Sequence, residues 1–320
     1  MRGIFTELLP KKGDNIKPKI AISIGDLNGV GVEIALKAHE EISKICQPVY
    51  CVNKYMLNQA CELLHVDMPQ DIELAFIDGD FTIEPGQING KSGYYSYDSF
   101  MKAVKLTQDK ECDAVVTLPI HKEAWMMGAI NFKGHTDVLR KYFEKDAIMM
   151  LGCPEMFVAL FTEHIPLKDV ASYLDEKKLL SFLLDLHVAI GDEKVAVLGL
   201  NPHAGDNGVL GDEEKIIEFS INYLNKRLGK DIFVGPIVPD IAFTPNFRKD
   251  FKYFVAMYHD QGLAPLKALY FDESINVSLN LPIVRTSVDH GTAFDIAYKG
   301  KVNTLSYINA IKSAIELSSN

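Results

Sequence analysis

Short apolar runs alternate with longer amphipathic segments along this chain of 320 residues, and this alternation sharply limits the folds open to it. The runs are rich in β-branched or aromatic residues and are bounded mostly by Gly, Pro, Asp or Asn, which is typical of buried strands. They occupy residues 19–24, 49–52, 73–77, 114–118, 157–161, 195–200, 232–234 and 253–257. Apolar periodicity predicts helices between them at 33–45, 96–107, 176–190, 212–228 and 305–317. The pattern predicts an α/β fold with a largely parallel sheet.

The length of the chain bears on its domain organisation. A single hydrophobic core usually holds roughly 250–300 residues, so two domains are expected. Residues 1–18 are polar and contain Pro10 and Pro18, and we expect them to form a loose N-terminal arm.

Charge and composition exclude several classes of protein. Lys and Arg number 33 against 43 Asp and Glu, and the resulting net charge of −10 argues against nucleic acid as a partner. No apolar run approaches the roughly 18–20 residues that cross a bilayer, so no membrane association is expected. The first residues lack the pattern of a signal peptide, and the five scattered cysteines suit reduced thiols. We therefore expect a cytoplasmic protein.

Polar side chains capable of chemistry directly follow five of the predicted strands. In open α/β sheets, ligands bind just beyond the carboxyl ends of the strands. These five ends therefore predict one shared cleft and favour an enzyme. The polar segments are 25–31, 119–122, 162–164, 201–206 and 258–262.

Three of these segments contain a histidine, His164, His203 and His259. Three neutral imidazoles suit a divalent ion such as Zn²⁺ and leave coordination positions for a substrate. Asp206 and Asp260 are further candidates, as ligands or as hydrogen-bond partners of the histidines. The spacings of 39 and 56 residues match no compact metal motif, so the alternative of hydrogen-bonded loop histidines stays open.

Two glycine-containing segments suggest anion binding, each with a structural alternative. Loop 25–31 precedes a predicted helix, whose N-terminus favours anions, but Glu33 would repel a phosphate and a tight turn explains the glycines equally well. His135 could donate a hydrogen bond to a bound phosphate or carboxylate, whereas Thr136 or Asp137 beside it could simply cap the following helix.

Lys267, Asn276 and Arg285 lie nine residues apart in a stretch that otherwise reads as apolar strands. A forked guanidinium and an ammonium near apolar walls suit a phosphate or carboxylate substrate. A surface ion pair is the alternative for Lys267 taken alone.

Four longer motifs resemble those of a known enzyme family. Segments 134–137, 201–205, 257–262 and 285–293 resemble the 4-hydroxythreonine-4-phosphate dehydrogenase family of pyridoxal 5′-phosphate biosynthesis, and the likeness extends over nearly all of the chain from Lys19 onward. Segment 290–297, with Asn303 after it, also resembles the nucleotide loop of isocitrate and isopropylmalate dehydrogenases, which share the family's fold. Leu27 and Val32 replace two prolines of the family's glycine loop, which leaves the conformation of that loop open.

The resemblance implies a two-domain, isocitrate/isopropylmalate dehydrogenase-like α/β fold with a cleft between the domains. The first domain would comprise residues 1–135 plus 290–320, and the second, residues 136–289, would carry most of the metal and substrate residues. The family works as a homodimer whose active site is shared at the interface.

Roles for individual residues follow from the same resemblance. One divalent metal ion per site, zinc, magnesium or cobalt, would be bound by His164, His203 and His259. The substrate and its phosphate would be bound by His135, Thr136, Lys267, Asn276 and Arg285. NAD or NADP would be bound by His290, Gly291, Thr292, Asp295 and Asn303. The sequence does not identify the general base, for which Asp240 and Asp260 are candidates.

The implied reaction oxidises the C3 hydroxyl of 4-phosphooxy-L-threonine and then releases carbon dioxide, giving 3-amino-2-oxopropyl phosphate. One alternative is a paralogue that oxidises another phosphorylated four-carbon acid. A second, of a different class, is a metal-dependent phosphate-transfer or phosphate-binding protein that does not use NAD.

Overall fold

The computed structural model describes residues 17–319, so the predicted N-terminal arm lies almost entirely outside the described residues. The strands are β1 Lys19–Ser23, β2 Gln47–Cys51, β3 Glu73–Ala75, β4 Ala114–Thr117, β5 Ile148–Cys153, β6 Met156–Leu160, β7 Val195–Leu198, β8 Phe233–Ile237, β9 Tyr253–Ala256, β10 Ile275–Leu279 and β11 Arg285–Val288. The α-helices are α1 Gly31–Ile42, α2 Lys54–Leu64, α3 Gly90–Gln108, α4 Lys122–Met127, α5 His135–Phe143, α6 Leu167–Tyr173, α7 Glu176–Ile190, α8 Glu214–Leu228, α9 Pro239–Ala242, α10 His259–Tyr270 and α11 Leu305–Ser318.

All of these strands belong to one sheet, in the order β3-β2-β1-β4-β11-β10-β5-β6-β9-β7-β8. The first five strands of this order pair in parallel, and so do the last four. Between them, β10 and β5 supply the antiparallel pairings, so the two parallel groups run in opposite directions. The prediction of an α/β fold with a largely parallel sheet is confirmed. Both predicted domains contribute strands to this sheet, and the boundary between them stays a prediction.

Helices cover both faces of the sheet, which explains why its strands are almost continuously apolar. Successive side chains of a strand point to opposite faces, and in β1 they enter different cores. Ile20 and Ile22 belong to the core that includes α1 and α11, whereas Ala21 belongs to the core beneath α3.

The predicted elements are present, with most ends shifted by up to three residues. Helix α3 is the exception, since it begins at Gly90 rather than near residue 96 because the Asn89 side chain accepts a hydrogen bond from the Ser92 amide and caps it. Two predictions are wrong. Lys267 lies on helix α10 rather than in a strand, and helix α5 begins at His135 with Gly134 as its N-cap, so neither Thr136 nor Asp137 caps it.

Two expectations drawn from composition can be compared with the described residues. All five cysteines are buried and unpaired, as expected for reduced thiols. Among residues 17–319, no helix is both long and apolar enough to cross a bilayer.

Helices α3 and α4 make a close contact that supports one wall of the central cavity described below. Gly93 on α3 faces the backbone of α4, and a Cβ atom at this position would lie 2.0 Å from the Ala124 carbonyl oxygen. The same contact allows the Trp125 indole to donate a 2.8 Å hydrogen bond to the Ser96 hydroxyl. Trp125 in turn packs edge-on against the His135 ring, with 5.6 Å between the ring centroids.

We predict that Gly93→Ala lowers the free energy of unfolding by about 3 kcal/mol, because a methyl group cannot be accommodated without moving α4. Denaturant unfolding of the wild type and the variant measures this difference. Lys91→Ala, at an exposed position of the same helix, is the control and should change the free energy by no more than about 0.5 kcal/mol. Equal stability of Gly93→Ala and the wild type would show that this contact is not tight.

Candidate active site

A cavity of about 1230 Å³ opens at the centre of the sheet, where the strand direction changes. Segments that follow β4, β6 and β9 all line it, as expected from their polar side chains. Helices α5 and α10 and strands β10 and β11 complete the walls. The five residues predicted to bind substrate all line this one cavity: His135, Thr136, Lys267, Asn276 and Arg285.

The other two polar strand ends do not line the cavity, so the prediction of one cleft shared by five strand ends holds for three of them. Strand β7 is separated from β6 by β9, which places its end farther from the centre. The loop after β1 instead packs against segment 290–298, where the Val30 amide donates to the Thr292 carbonyl at 3.0 Å and the Tyr298 hydroxyl to the Leu27 carbonyl at 2.7 Å.

The glycine loop adopts a tight turn rather than a pocket. Gly25 has φ +72°, and a Cβ there would lie 2.4 Å from the Pro119 carbonyl oxygen, so only glycine fits. Leu27 and Val32, which replace the family prolines, are fully buried and extend the apolar core. The loop therefore packs against segment 290–298 and supports it.

Arg285 is the central residue of the cavity wall. It is 3% exposed, and its guanidinium donates only to uncharged groups. Nη1 lies 3.2 Å from the Asn276 Oδ1 and 3.1 Å from the Ser278 Oγ, while Nη2 lies 2.8 Å from the Thr117 Oγ1 and 3.3 Å from the His135 Nδ1. Its Nε–H has no partner among the described residues.

No carboxylate among residues 17–319 forms an ion pair with Arg285, so a full positive charge is buried without compensation. Burial lowers the pKa of Arg285 to about 9, which leaves the guanidinium charged at neutral pH. An uncompensated buried charge is costly, and a buried donor without an acceptor adds to the cost. The site is therefore suited to an anionic ligand.

His135 presents a second donor beside the guanidinium. Its ring packs edge-on against Phe100 and Trp125, and burial, followed by the Arg285 charge, lowers its pKa well below 6.5. The imidazole is therefore neutral, and because Nδ1 accepts from Arg285, the proton resides on Nε2. Within residues 17–319 this buried Nε2–H has no hydrogen-bond partner, as expected of a donor to a bound anion.

Two other cations of the cavity are paired with carboxylates that the sequence did not identify as site residues. The Lys267 ammonium lies 3.3 Å from the Asp289 Oδ2, and Arg140 makes a two-pronged contact with Glu163 at 2.5 and 3.1 Å. These contacts join residues 22 or 23 positions apart, so no local motif reveals them. Thr117, missed within an apolar run, is likewise detected only through Arg285.

Two of the three predicted metal ligands come together. The rings of His164 and His259 line the cavity with 5.5 Å between their centroids. Burial lowers the pKa of His164, with the Glu163 carboxylate acting in the opposite direction, so the neutral, metal-binding form is favoured. His259 Nδ1 lies 2.7 Å from the Asp260 Oδ1, which leaves Nε2 to face a ligand.

His203, the third predicted ligand, lies elsewhere in the same chain. It is exposed and does not line the cavity, and within residues 17–319 the only three potential ligands close enough to share an ion are Cys153, Glu155 and Glu273. The turn that carries it, Pro202–Gly208, has left-handed backbone at each residue from His203 to Asn207. A single chain therefore presents two histidines at the cavity and one away from it.

The predicted cofactor residues form one edge of the cavity only in part. His290 and Gly291 line it, and Phe294 in the same segment stacks on His121 with 4.9 Å between the ring centroids. Thr292, Asp295 and Asn303 do not line the cavity, and the Asn303 side chain accepts a hydrogen bond from the Leu305 amide at the start of α11.

Neither candidate for the general base lies in the cavity wall. Asp240 is exposed at the short helix α9. Asp260 is engaged with His259 and its side chain is 84% exposed. Within one chain, Asp260 is therefore placed to orient the His259 ring and not to accept a proton from a substrate in the cavity.

The fold and the site define an α/β protein whose central cavity contains an uncompensated buried cation. Residues 44–314 match the family described as Pyridoxal phosphate biosynthetic protein PdxA. The chain is 66% identical over 301 residues to the 4-hydroxythreonine-4-phosphate dehydrogenase of Sulfurimonas denitrificans, across 94% of this chain and 98% of that protein. It is 56% identical over 301 residues to the protein of the same name from Campylobacter fetus subsp. fetus, with the same coverage.

A crystal structure agrees with these relatives. The 4-hydroxythreonine-4-phosphate dehydrogenase from Burkholderia phymatum superposes with a TM-score of 0.80 at 32% identity, over 95% of this chain and 99% of that one. The chain belongs to the PdxA family. The resemblance to this family, and the prediction of an enzyme of the oxidoreductase class, are confirmed.

We predict that His135 makes the protein acid-sensitive. Its folded-state pKa lies below that of the unfolded chain, so this contribution to stability is present above about pH 6.5 and is lost as the pH falls. His135→Asn retains an acceptor for Arg285 and removes the titration. Denaturant unfolding at pH 8 and pH 5.5 should show a loss in the wild type that exceeds the loss in the variant by about 1 kcal/mol.

The control is His65→Asn, which removes an exposed histidine at a left-handed position that asparagine tolerates. It should retain the wild-type dependence on pH. An equal loss of stability in His135→Asn and the wild type would contradict the assignment of a neutral His135.

Proposed function

We propose that this protein oxidises 4-phosphooxy-L-threonine at C3 with NAD or NADP, and then decarboxylates the product to 3-amino-2-oxopropyl phosphate in pyridoxal 5′-phosphate biosynthesis. The observation that carries the proposal is the buried Arg285 beside the Nε2–H of His135, the first without a counter-charge and the second without a partner among the described residues. The names of the relatives support the choice of substrate. We further propose a cytoplasmic homodimer that holds one zinc, magnesium or cobalt ion in each active site.

The substrate phosphate would bind at Arg285 and His135, because these groups supply a charge and a preoriented N–H donor in a site of low dielectric constant. Thr136, in the first turn of α5, lies beside His135 on the cavity wall. Lys267 and Asn276 line the same wall and provide further donors for the phosphorylated substrate, its phosphate included. Binding at several points orients the C3 hydroxyl toward His164 and His259.

The chemistry that these residues serve is a hydride transfer followed by loss of carbon dioxide. The C3 hydroxyl gives up a proton and C3 gives up a hydride, so the alcohol becomes a ketone and the dinucleotide is reduced. The resulting β-keto acid loses carbon dioxide and takes up a proton on the carbon. When bound, a divalent ion supplies Lewis acidity next to the hydroxyl, and the nicotinamide supplies the hydride acceptor.

The residues present fit a metal ion only when two chains contribute. His164 and His259 are neighbours at the cavity, Asp260 orients His259, and His203 lies exposed on a separate turn. We propose that His203 of a second copy completes the ligand set. Three imidazoles with carboxylate support are a donor set typical of a divalent metal site with open positions.

Arg285→Met should abolish the phosphate response of the protein, by which we mean its thermal stabilisation by inorganic phosphate. Because the guanidinium is the buried charge that an anion would neutralise, inorganic phosphate should raise the melting temperature of the wild type but not that of the variant. With substrate and NAD or NADP, turnover measured by absorbance of the reduced dinucleotide should show a KM about 100-fold higher in the variant.

Arg227→Met, which removes an exposed arginine from α8, should behave as the wild type in both assays. A phosphate response that survives Arg285→Met would exclude the proposed anion site. Phosphate binding without any reduction of the dinucleotide would support a phosphate-binding protein in place of a dehydrogenase. A panel of phosphorylated four-carbon acids separates the proposed substrate from that of a paralogue.

Mixing two inactive variants tests the shared metal site. His164→Ala and His203→Ala should each lose bound metal and activity. If the ligands come from two chains, random re-association of the variants restores about a quarter of the sites, because half of the dimers are mixed and each has one intact site. Metal content and turnover should recover together.

The matched control is a mixture of His164→Ala with His259→Ala. These two histidines neighbour each other in one chain, so each site of a mixed dimer lacks either His164 or His259 and none is intact. This control mixture should therefore recover neither metal nor turnover. No recovery in the first mixture either would show that His203 of a second chain does not share a site with His164.

A further inference from the structure

We propose that Asp289 is a positioning residue that holds the Lys267 ammonium in the cavity and, through its own backbone, holds the start of segment 290–295. The inference rests on the proposed function, since it assigns Lys267 to the substrate and the segment to the dinucleotide. Asp289 directly follows β11 and directly precedes His290, so it lies between the two parts of the site.

The Asp289 carboxylate is held from two directions. Its side chain is 11% exposed, and the Ser274 hydroxyl donates to Oδ2 at 2.7 Å. Lys267 Nζ lies 3.3 Å from Oδ2 and 3.4 Å from Oδ1, spanning the carboxylate. The carboxylate is thus oriented by a fully buried serine, and the more exposed lysine, at 38%, is placed by the carboxylate.

The backbone of Asp289 belongs to the same network. Its amide donates to the Ser306 Oγ at 3.3 Å, and the Ser306 hydroxyl donates to the Ser274 carbonyl at 2.8 Å. Ser274 then returns to the Asp289 carboxylate, which closes a ring of hydrogen bonds. The ring joins the end of β11, the residue before β10 and the first turn of α11.

The ring of hydrogen bonds explains the placement of the Asp289 carboxylate better than a simple surface ion pair would. Exposed lysine–carboxylate pairs contribute little to stability and need no serine to orient the carboxylate. Here the carboxylate is only 11% exposed, and the cation paired with it among residues 17–319 lines the substrate cavity. Loss of the Asp289 charge would release Lys267 and, at the same time, loosen the attachment of His290.

A double-mutant cycle with kinetic readouts tests the assignment. We expect Asp289→Asn to raise the KM for 4-phosphooxy-L-threonine about 10-fold and the KM for the dinucleotide severalfold, with a smaller change in kcat. Lys267→Met should raise the KM for the phosphorylated substrate alone. Adding Asp289→Asn to Lys267→Met should raise the substrate KM no further, because the two residues act as a unit.

Glu316→Gln, which removes an exposed carboxylate 3.9 Å from Lys252, is the matched control and should leave both KM values unchanged. If Asp289→Asn does not fold, Ser274→Ala removes the donor that orients the carboxylate and should raise the substrate KM in the same direction. Unchanged KM values in Asp289→Asn, or an additive effect with Lys267→Met, would overturn the proposal.

A wild type without any turnover would disprove the proposed function rather than this inference. In that case, calorimetric titration with inorganic phosphate replaces the substrate KM in the same cycle. Weaker phosphate binding in both single variants, with no further loss in the double variant, supports the positioning role. Unchanged phosphate binding in Asp289→Asn overturns it.

Discussion

The Arg285 guanidinium brings a full positive charge into the interior of the molecule without a counter-charge from the described residues. It is surrounded by the Thr117 hydroxyl on β4, by Asn276 and Ser278 on β10, and by the His135 ring on α5. These neutral acceptors orient the guanidinium but do not cancel its charge, which burial makes unfavourable by several kcal/mol. The cavity is therefore suited to an anionic ligand, which would supply the missing counter-charge.

Ion pairs elsewhere in the cavity wall limit the negative charge that opposes Arg285. A chain with a net charge of −10 repels anions at long range, and carboxylates are present in the wall of the cavity itself. Two of them are paired with cations, Glu163 with Arg140 and Asp289 with Lys267. Pairing lowers the local negative potential, so these two carboxylates oppose the field of Arg285 less than free carboxylates would.

Sequence patterns predicted the α/β layers because buried strands and amphipathic helices have local signatures. They also singled out five residues that line one cavity, whose role in binding the substrate stays a prediction. Thr117 was missed because its partner, Arg285, lies 168 residues away, and no local pattern reports such a contact. The wrong assignment of Lys267 to a strand has a local cause, because Pro265 interrupts the helical signal of α10.

The turn that carries His203 was beyond sequence prediction for a different reason. Left-handed backbone costs non-glycine residues about 1–2 kcal/mol each, yet His203, Ala204, Asp206 and Asn207 all adopt it. Hydrogen bonds from Asn201 to the carboxylates at the start of α8 hold the turn in place.

Strain of this kind persists only where the surrounding contacts enforce it, and it is concentrated at functional sites. Here the strained turn presents an imidazole to solvent, while His164 and His259 meet at the cavity of the same chain. If the three imidazoles bind one ion, as we propose, the turn of a second copy must approach this cavity. Association of two chains then becomes a condition for the chemistry and not merely a source of stability.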